Sequence, residues 1–227
     1  MCGRYVLKAS ALDLQREFHL DEAPALTARY NIAPLQAAPI ILDAAPRKLV
    51  VAQWGLLPRW AKDAKLAHQL INARAETLKE KAAFKDLLGA HRCLVPCDGF
   101  YEWRHEGPRR LPHFVHPQDG HLLAMAGLWS RWRSPDGLEL DTFTVITTQA
   151  SAALQGLHDR MPVFLDAQGR QRWLSGPTQD LASLEELLRP WHGSPLEVTE
   201  VSQHVNSVLV DDERCLEPPS IVQLRLL

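Results

Sequence analysis

The sequence lacks any apolar run near the roughly 20 residues that a membrane-spanning helix requires, which excludes a helical membrane protein. Its N-terminus lacks the basic-then-apolar layout of a secretory signal, so a cytoplasmic address is the expectation. Cysteine is scarce: the four residues at 2, 93, 97 and 215 show neither paired Cys-x-x-Cys spacing nor the density of a secreted disulfide scaffold. Reduced thiols are therefore expected, and no structural zinc, other metal or cofactor. Charge of one sign is not in excess either, since 25 basic residues face 27 acidic ones for a net −2, so any binding to nucleic acid must be local. Candidate basic patches are Arg59, Lys62 and Lys65, then Arg104, Arg109 and Arg110, then Arg131 and Arg133, although runs this short also suit a solvated face. There is no internal repeat and no low-complexity tract, and one domain over 1–227 is expected. What is present is a 46% hydrophobic chain of 227 residues, long enough to bury a core.

The pattern along the chain predicts an α+β fold whose core is mostly β, with antiparallel sheets or a barrel and peripheral helices. Ser10 to Phe18 reads as a short helix, because Ser10 and Asp13 form a capping pair and Ala11, Leu14 and Phe18 share a face. Ile40 to Leu42 and Leu49 to Trp54 read as strands across a turn at Pro46 and Arg47. A helix is predicted from Thr77 to Leu88, stopped by Gly89. Short β-branched or aromatic segments follow at Arg92 to Val95, Phe100 to Arg104, His113 to Val115, Leu122 to Trp129 and Phe143 to Thr148. Helices are predicted again near Ala167 to Leu174 and Thr178 to Leu188, with a last strand at Leu196 to Val201.

The densest chemistry lies in Met1-Cys2-Gly3-Arg4-Tyr5. A small second residue permits removal of the initiator methionine, which leaves Cys2 with a free α-amine beside its thiol. An α-amine has a reference pKa of about 7.7 to 8.0, against about 10.4 for lysine, so near neutrality it keeps a nucleophilic fraction. Aldehydes are its natural target: the amine forms a Schiff base, and the thiol closes on the imine carbon to give a five-membered thiazolidine. The plain alternative is that Cys2 is a small buried hydrophobe, as most free cysteines are.

Five further clusters stand downstream: Arg29-Tyr30-Asn31-Ile32-Ala33-Pro34, Trp54-Gly55-Leu56-Leu57-Pro58-Arg59-Trp60, Asn72-Ala73-Arg74-Ala75-Glu76-Thr77, Asp98-Gly99-Phe100-Tyr101-Glu102-Trp103 and His158-Asp159-Arg160-Met161-Pro162. Together with the initial Met-Cys-Gly-Arg they closely resemble the SRAP family, the SOS-response-associated abasic-site proteins, from Met1 to about Asn206. The resemblance implies a β-rich fold with a groove for single-stranded DNA and a covalent link from mature Cys2 to the ring-opened sugar of an abasic site; a monomer is expected. It also implies Asn72, Glu102 and His158 as the remaining catalytic residues, and Arg4, Asn31, Pro34, Trp54, Trp60, Arg74 and Thr147 as contacts to DNA.

Each implied role has a physical basis and a bland rival. Glu102 can shuttle protons during imine formation, or simply sit on a solvent face. His158 suits opening of the sugar ring, or is a satisfied turn histidine. Asn72 can orient Cys2, or cap a following helix; Arg74 can clamp a phosphate, or pair with Glu76. Trp54, Trp60 and Pro34 can stack on or wedge beside bases without regard to sequence, whereas Trp103, Trp173 and Trp191 are assigned to the core. The chain departs from the family pattern where Ala61 follows Trp60 in place of a second tryptophan, and where Ala82 replaces a basic residue. Two other classes compete: an N-terminal-nucleophile amidohydrolase, which also begins Met-Cys-Gly but whose substrate-carboxylate motif is missing here, and a non-catalytic single-strand-binding module with an inert Cys2.

Overall fold

The computed structural model describes residues 2–42, 47–175 and 180–220. In chain order the strands are β1 (Tyr5–Leu7), β2 (Arg29–Ile32), β3 (Ala37–Leu42), β4 (Lys48–Trp54), β5 (Asn72–Arg74) and β6 (Arg92–Cys97). They continue as β7 (Gly99–Glu106), β8 (Arg109–Pro117), β9 (Leu123–Arg133), β10 (Glu139–Gln149), β11 (Arg160–Pro162) and β12 (Leu196–Glu200). One sheet has the order β12-β8-β7-β1-β2 and is antiparallel throughout. The other runs β10-β4-β3-β6-β9, and because β9 pairs again with β10 its five strands close into a barrel. Beyond the point where β4 and β9 leave it, β10 takes up β5 on one edge and β11 on the other.

Closure depends on one glycine. At Gly127 in β9 a Cβ would stand 2.8 Å from Cys93 Sγ and 2.9 Å from the Thr144 carbonyl, so only hydrogen lets β6, β9 and β10 approach this closely. The core shared by both sheets includes Cys2, Tyr5, Trp54, Phe100, Met125, Phe143 and Trp173, all buried. Each large side chain of this kind contributes roughly 1.5–3 kcal/mol relative to exposure.

Among the described residues three α-helices, α1 (Ala11–Phe18), α2 (Ala167–Leu174) and α3 (Leu181–Glu185), lie outside the sheets. The α1 capping box forms as predicted, Leu14 and Phe18 are buried, and His19 in the left-handed region ends the helix. The helix predicted over Thr77–Leu88 does not form. A 3-10 turn at Ala75–Thr77 leads into successive turns in which Glu80 and Lys81 both donate to the Thr77 carbonyl, and Leu87 and Leu88 both to that of Phe84. Burial of Leu78, Phe84, Leu87 and Leu88 dictates this path, while the exposed stretch at Lys79 to Ala82 has no apolar stripe to hold a regular helix. The helix predicted from Thr178 shortens to α3, capped by Asp180, and Thr178 itself lies outside the described residues. Pro46 of the predicted β3–β4 turn also lies outside them, although the pairing of Leu42 with Lys48 establishes the hairpin. No helix among the described residues is long and apolar enough to cross a membrane.

Candidate active site

The first residues become a site because β1 runs antiparallel to β7. Tyr5 pairs with Phe100, and the Tyr101 N–H donates to the Arg4 carbonyl at 2.9 Å, which carries Gly3 and Cys2 alongside Glu102. From the other sheet, β5 lies parallel to β10 with Asn72 opposite Val145, and the Asn72 side-chain amide donates to the Cys2 carbonyl at 2.7 Å. Asn72 therefore orients the residue expected to react, and its own Oδ1 is buried without a hydrogen-bond partner among the described residues. Cys2 is inaccessible, and its thiol is held far above the usual cysteine value, first by burial and second by the Glu102 carboxylate.

Glu102 is 5% exposed, so the bland alternative of a plain solvent-facing strand residue does not hold. His158 follows a tight turn at Leu154 to Leu157 and leads into β11. Its Nε2 lies 3.9 Å from Glu102 Oε1. Its Nδ1 sits between the Arg160 N–H at 2.9 Å and the exposed Asp159 carboxylate at 2.7 Å. The backbone donor favours a lone pair on Nδ1 and so a proton on Nε2, the nitrogen that faces Glu102, whereas the Asp159 carboxylate favours a proton on Nδ1. Cys2, Asn72, Glu102 and His158 thus meet at the seam between the two sheets, each delivered by a different segment.

Beside them opens a cleft of about 400 Å³ lined by Gly3, Arg4, Trp103, Arg110 and Asn206. Arg4 is held in place: it donates to Asn31 Oδ1 at 2.9 Å and to the Val205 carbonyl at 2.8 Å, with its guanidinium 5.8 Å from the Trp103 ring centre. Burial lowers its pKa from the usual arginine value, the cost of holding a cation in a half-covered cleft. A larger surface cavity of about 740 Å³, lined by residues that include Gln15, Asp21, Arg47 and Leu49, contains none of these groups.

Several expected DNA contacts are corrected by burial. Trp54 is inaccessible, stacked on Phe143 with its indole N–H on the Ile71 carbonyl, so it has no face for a base. Asn31 is buried and gives its amide to the carbonyls of Val205, Ser207 and Val210, so it holds Arg4 and the C-terminal segment rather than DNA. Thr147 is buried as well; its hydroxyl donates to the Ala73 carbonyl and accepts from Arg160 Nε. Trp103, assigned to the core from sequence, is instead half-buried in the cleft wall, donating to Asn206 Oδ1. Sequence reasoning named Arg110 but missed Trp103 in this wall, and it missed the role of Arg160, which forks onto Glu76 and so takes the partner that Arg74 could have had. Alternation puts Trp103 on the face of β7 that it shares with the buried Tyr101, opposite Glu102, so its half-exposure is not legible in the strand pattern.

Four of the expected contacts are at the surface. Trp60 is 58% exposed, Arg74 is exposed with no ion-pair partner among the described residues, and Arg4 and Pro34 are half-buried. Ala61 is covered by Trp132, whose indole N–H takes the Ala61 carbonyl at 2.7 Å. That packing leaves no room there for a second tryptophan.

The chain matches the family described as SOS response associated peptidase (SRAP) over residues 1–208. It is 39% identical over 212 residues to the abasic site processing protein YoqW of Bacillus subtilis, spanning 91% of this chain and 95% of that one. It is 33% identical over 222 residues to the abasic site processing protein HMCES of Gallus gallus, spanning 83% and 66%. Among solved structures, a protein from Bacteroides thetaiotaomicron superposes with a TM-score of 0.87 at 25% identity, spanning 96% of this chain and all of that one.

Proposed function

This chain belongs to the SOS response associated peptidase family, and from that membership we propose that it processes abasic sites by trapping them covalently in single-stranded DNA. Removal of Met1 frees the Cys2 α-amine, which adds to the aldehyde of the ring-opened sugar; the adduct loses water to form an imine. The thiol sulfur then adds to the imine carbon as its proton passes to nitrogen, and a thiazolidine closes. Aminothiol and aldehyde thus give the ring plus one water, with no redox partner.

The observation that carries the reading is the convergence on Cys2 of the Asn72 amide at 2.7 Å and of a buried carboxylate, Glu102, with His158 next to it. A thiol held protonated suits a sequence in which nitrogen attacks first and sulfur closes the ring second; it does not suit a thiolate that must open an amide. Glu102 moves protons through the carbinolamine, and His158 opens the hemiacetal. Arg4 and Arg74 face phosphates, while Trp60 and Pro34 meet bases beside the lesion, where stacking is worth about 1 to 3 kcal/mol per base.

The test mixes the purified chain with single-stranded DNA carrying one abasic site and follows denaturant-resistant adduct by gel and intact mass. The expected product is one chain lacking Met1 plus one strand minus water, and none from Cys2→Ala. A normal yield from Cys2→Ala, or an adduct that still carries Met1, overturns the proposal.

A further inference from the structure

Behind the Arg4 cleft, His204, Asp212 and Cys215 bring an imidazole nitrogen, a carboxylate oxygen and a thiol sulfur within 4.8 Å of one another. His204 and Cys215 lie in two 3-10 turns, Gln203–Asn206 and Glu213–Leu216, and Asp212 caps the second. Asp212 and Cys215 are outside the residues that the family matches. From this geometry we infer that the three residues form a binding site for a zinc-like divalent cation that staples the C-terminal segment behind Arg4.

The donor set argues for this class of ion. Sulfur with imidazole selects zinc or cobalt over magnesium and calcium, which prefer all-oxygen shells. Zinc bonds of about 2.0–2.3 Å place neighbouring ligands about 3.3–3.7 Å apart. The His204 Nε2 contacts to the two Asp212 oxygens, at 3.1 and 3.2 Å, are already near that separation. The sulfur, within 4.8 Å of these atoms, needs to move by no more than about 1 Å to reach that separation. Arg214 donates to both Asp212 oxygens, at 3.4 and 3.3 Å, and can keep the one that does not bind metal, an outer partner of the kind that orients a ligand.

Access is one-sided: Cys215 is buried, whereas His204 and Asp212 are partly exposed and leave an entry path and a fourth position for water. Binding releases the thiol proton to solvent and leaves a metal thiolate. Between the two turns lie the carbonyls of Ser207 and Val210 that hold Asn31, and the first turn carries the Val205 carbonyl that holds Arg4. A cation bridging the turns would therefore fix the acceptors of Arg4. The inference stands apart from the abasic-site reading.

Cobalt titration of the full chain tests it. The titration uses the Cys2→Ala background, because a free N-terminal aminothiol would itself chelate. The expected result is one tightly bound cobalt with tetrahedral ligand-field bands and a thiolate-to-cobalt charge-transfer band, both displaced by zinc. Cys215→Ser removes the charge-transfer band. His204→Gln, at a partly exposed position that does not threaten folding, weakens binding by at least about tenfold. No cobalt band from the folded chain at millimolar metal, a charge-transfer band that survives Cys215→Ser, or unchanged affinity in His204→Gln each overturns the inference; if Cys215→Ser does not fold, His204→Gln decides.

Discussion

At the scale of single residues, the site is governed by a carboxylate placed against a thiol, both out of water. The Cys2 sulfur loses its proton far less readily than a free cysteine because burial, and then Glu102, disfavour a second negative charge. Ring closure under the proposed chemistry should therefore rise with pH throughout the accessible alkaline range, with no plateau at the ordinary thiol value of about 8.5. Glu102→Gln keeps the shape and removes the charge. It is expected to slow adduct formation near neutrality by on the order of 10²-fold, the loss of a positioned proton carrier, and to shift the alkaline rise toward lower pH because the thiol then ionises more easily. Single-turnover crosslinking between about pH 6 and 9 reads both effects. A variant with wild-type rate and profile would remove Glu102 from the chemistry.

At the scale of elements, Glu102 is only as well placed as β7, and β7 is set by how closely it lies on β8. A Cβ at Gly99 would come 2.4 Å from the Val115 carbonyl and 2.6 Å from Phe114 Cζ. Gly99→Ala should therefore push the strands apart at the end where β1 also pairs, through Val6 opposite Gly99. The expected cost is about 1–3 kcal/mol, read as a lower urea midpoint, with adduct formation falling further than stability alone explains. Unchanged values in both assays would mean that the strands absorb the methyl and that the spacing does not matter.

The same elements show what was legible in advance. Long strands such as β9 and β10, and α1 with its capping pair, have enough residues for composition and periodicity to speak. β1, β2, β5 and β11 have three or four residues each and exist because of partners far along the chain, as Tyr5 needs Phe100 and Asn72 needs Val145. Chemistry singles out Cys2 and the family resemblance points to Asn72, Glu102 and His158, and the fold brings these four together. Motifs do not say which polar or aromatic neighbours face inward, so the burial of Trp54, Asn31 and Thr147 is not legible in them.

At the scale of the whole molecule, a net charge of −2 leaves no general attraction to nucleic acid, so the proposed function requires recognition by local surface groups such as Arg4, Arg74 and Trp60. The interior has its own titration. Cys93 and Cys97 sit in the barrel, and burial holds both thiols far above their usual value, as it does the Tyr5 hydroxyl. In the unfolded chain these thiols ionise near pH 8.5; in the folded chain they stay protonated. Below that value both states hold the proton and the contribution to stability is fully present. Above it the unfolded state alone gives the proton up, so stability falls with rising pH, by up to about 1.4 kcal/mol per pH unit for each such thiol. Cys93→Ala removes one group, and its sulfur is the atom pressed against Gly127, so the smaller side chain introduces no clash. Urea midpoints should therefore fall between about pH 8 and 10 in the parent chain and fall less steeply in the variant. An equal slope in the two proteins, or stability that climbs over this range, would mean that the core thiols are not what sets the alkaline limit.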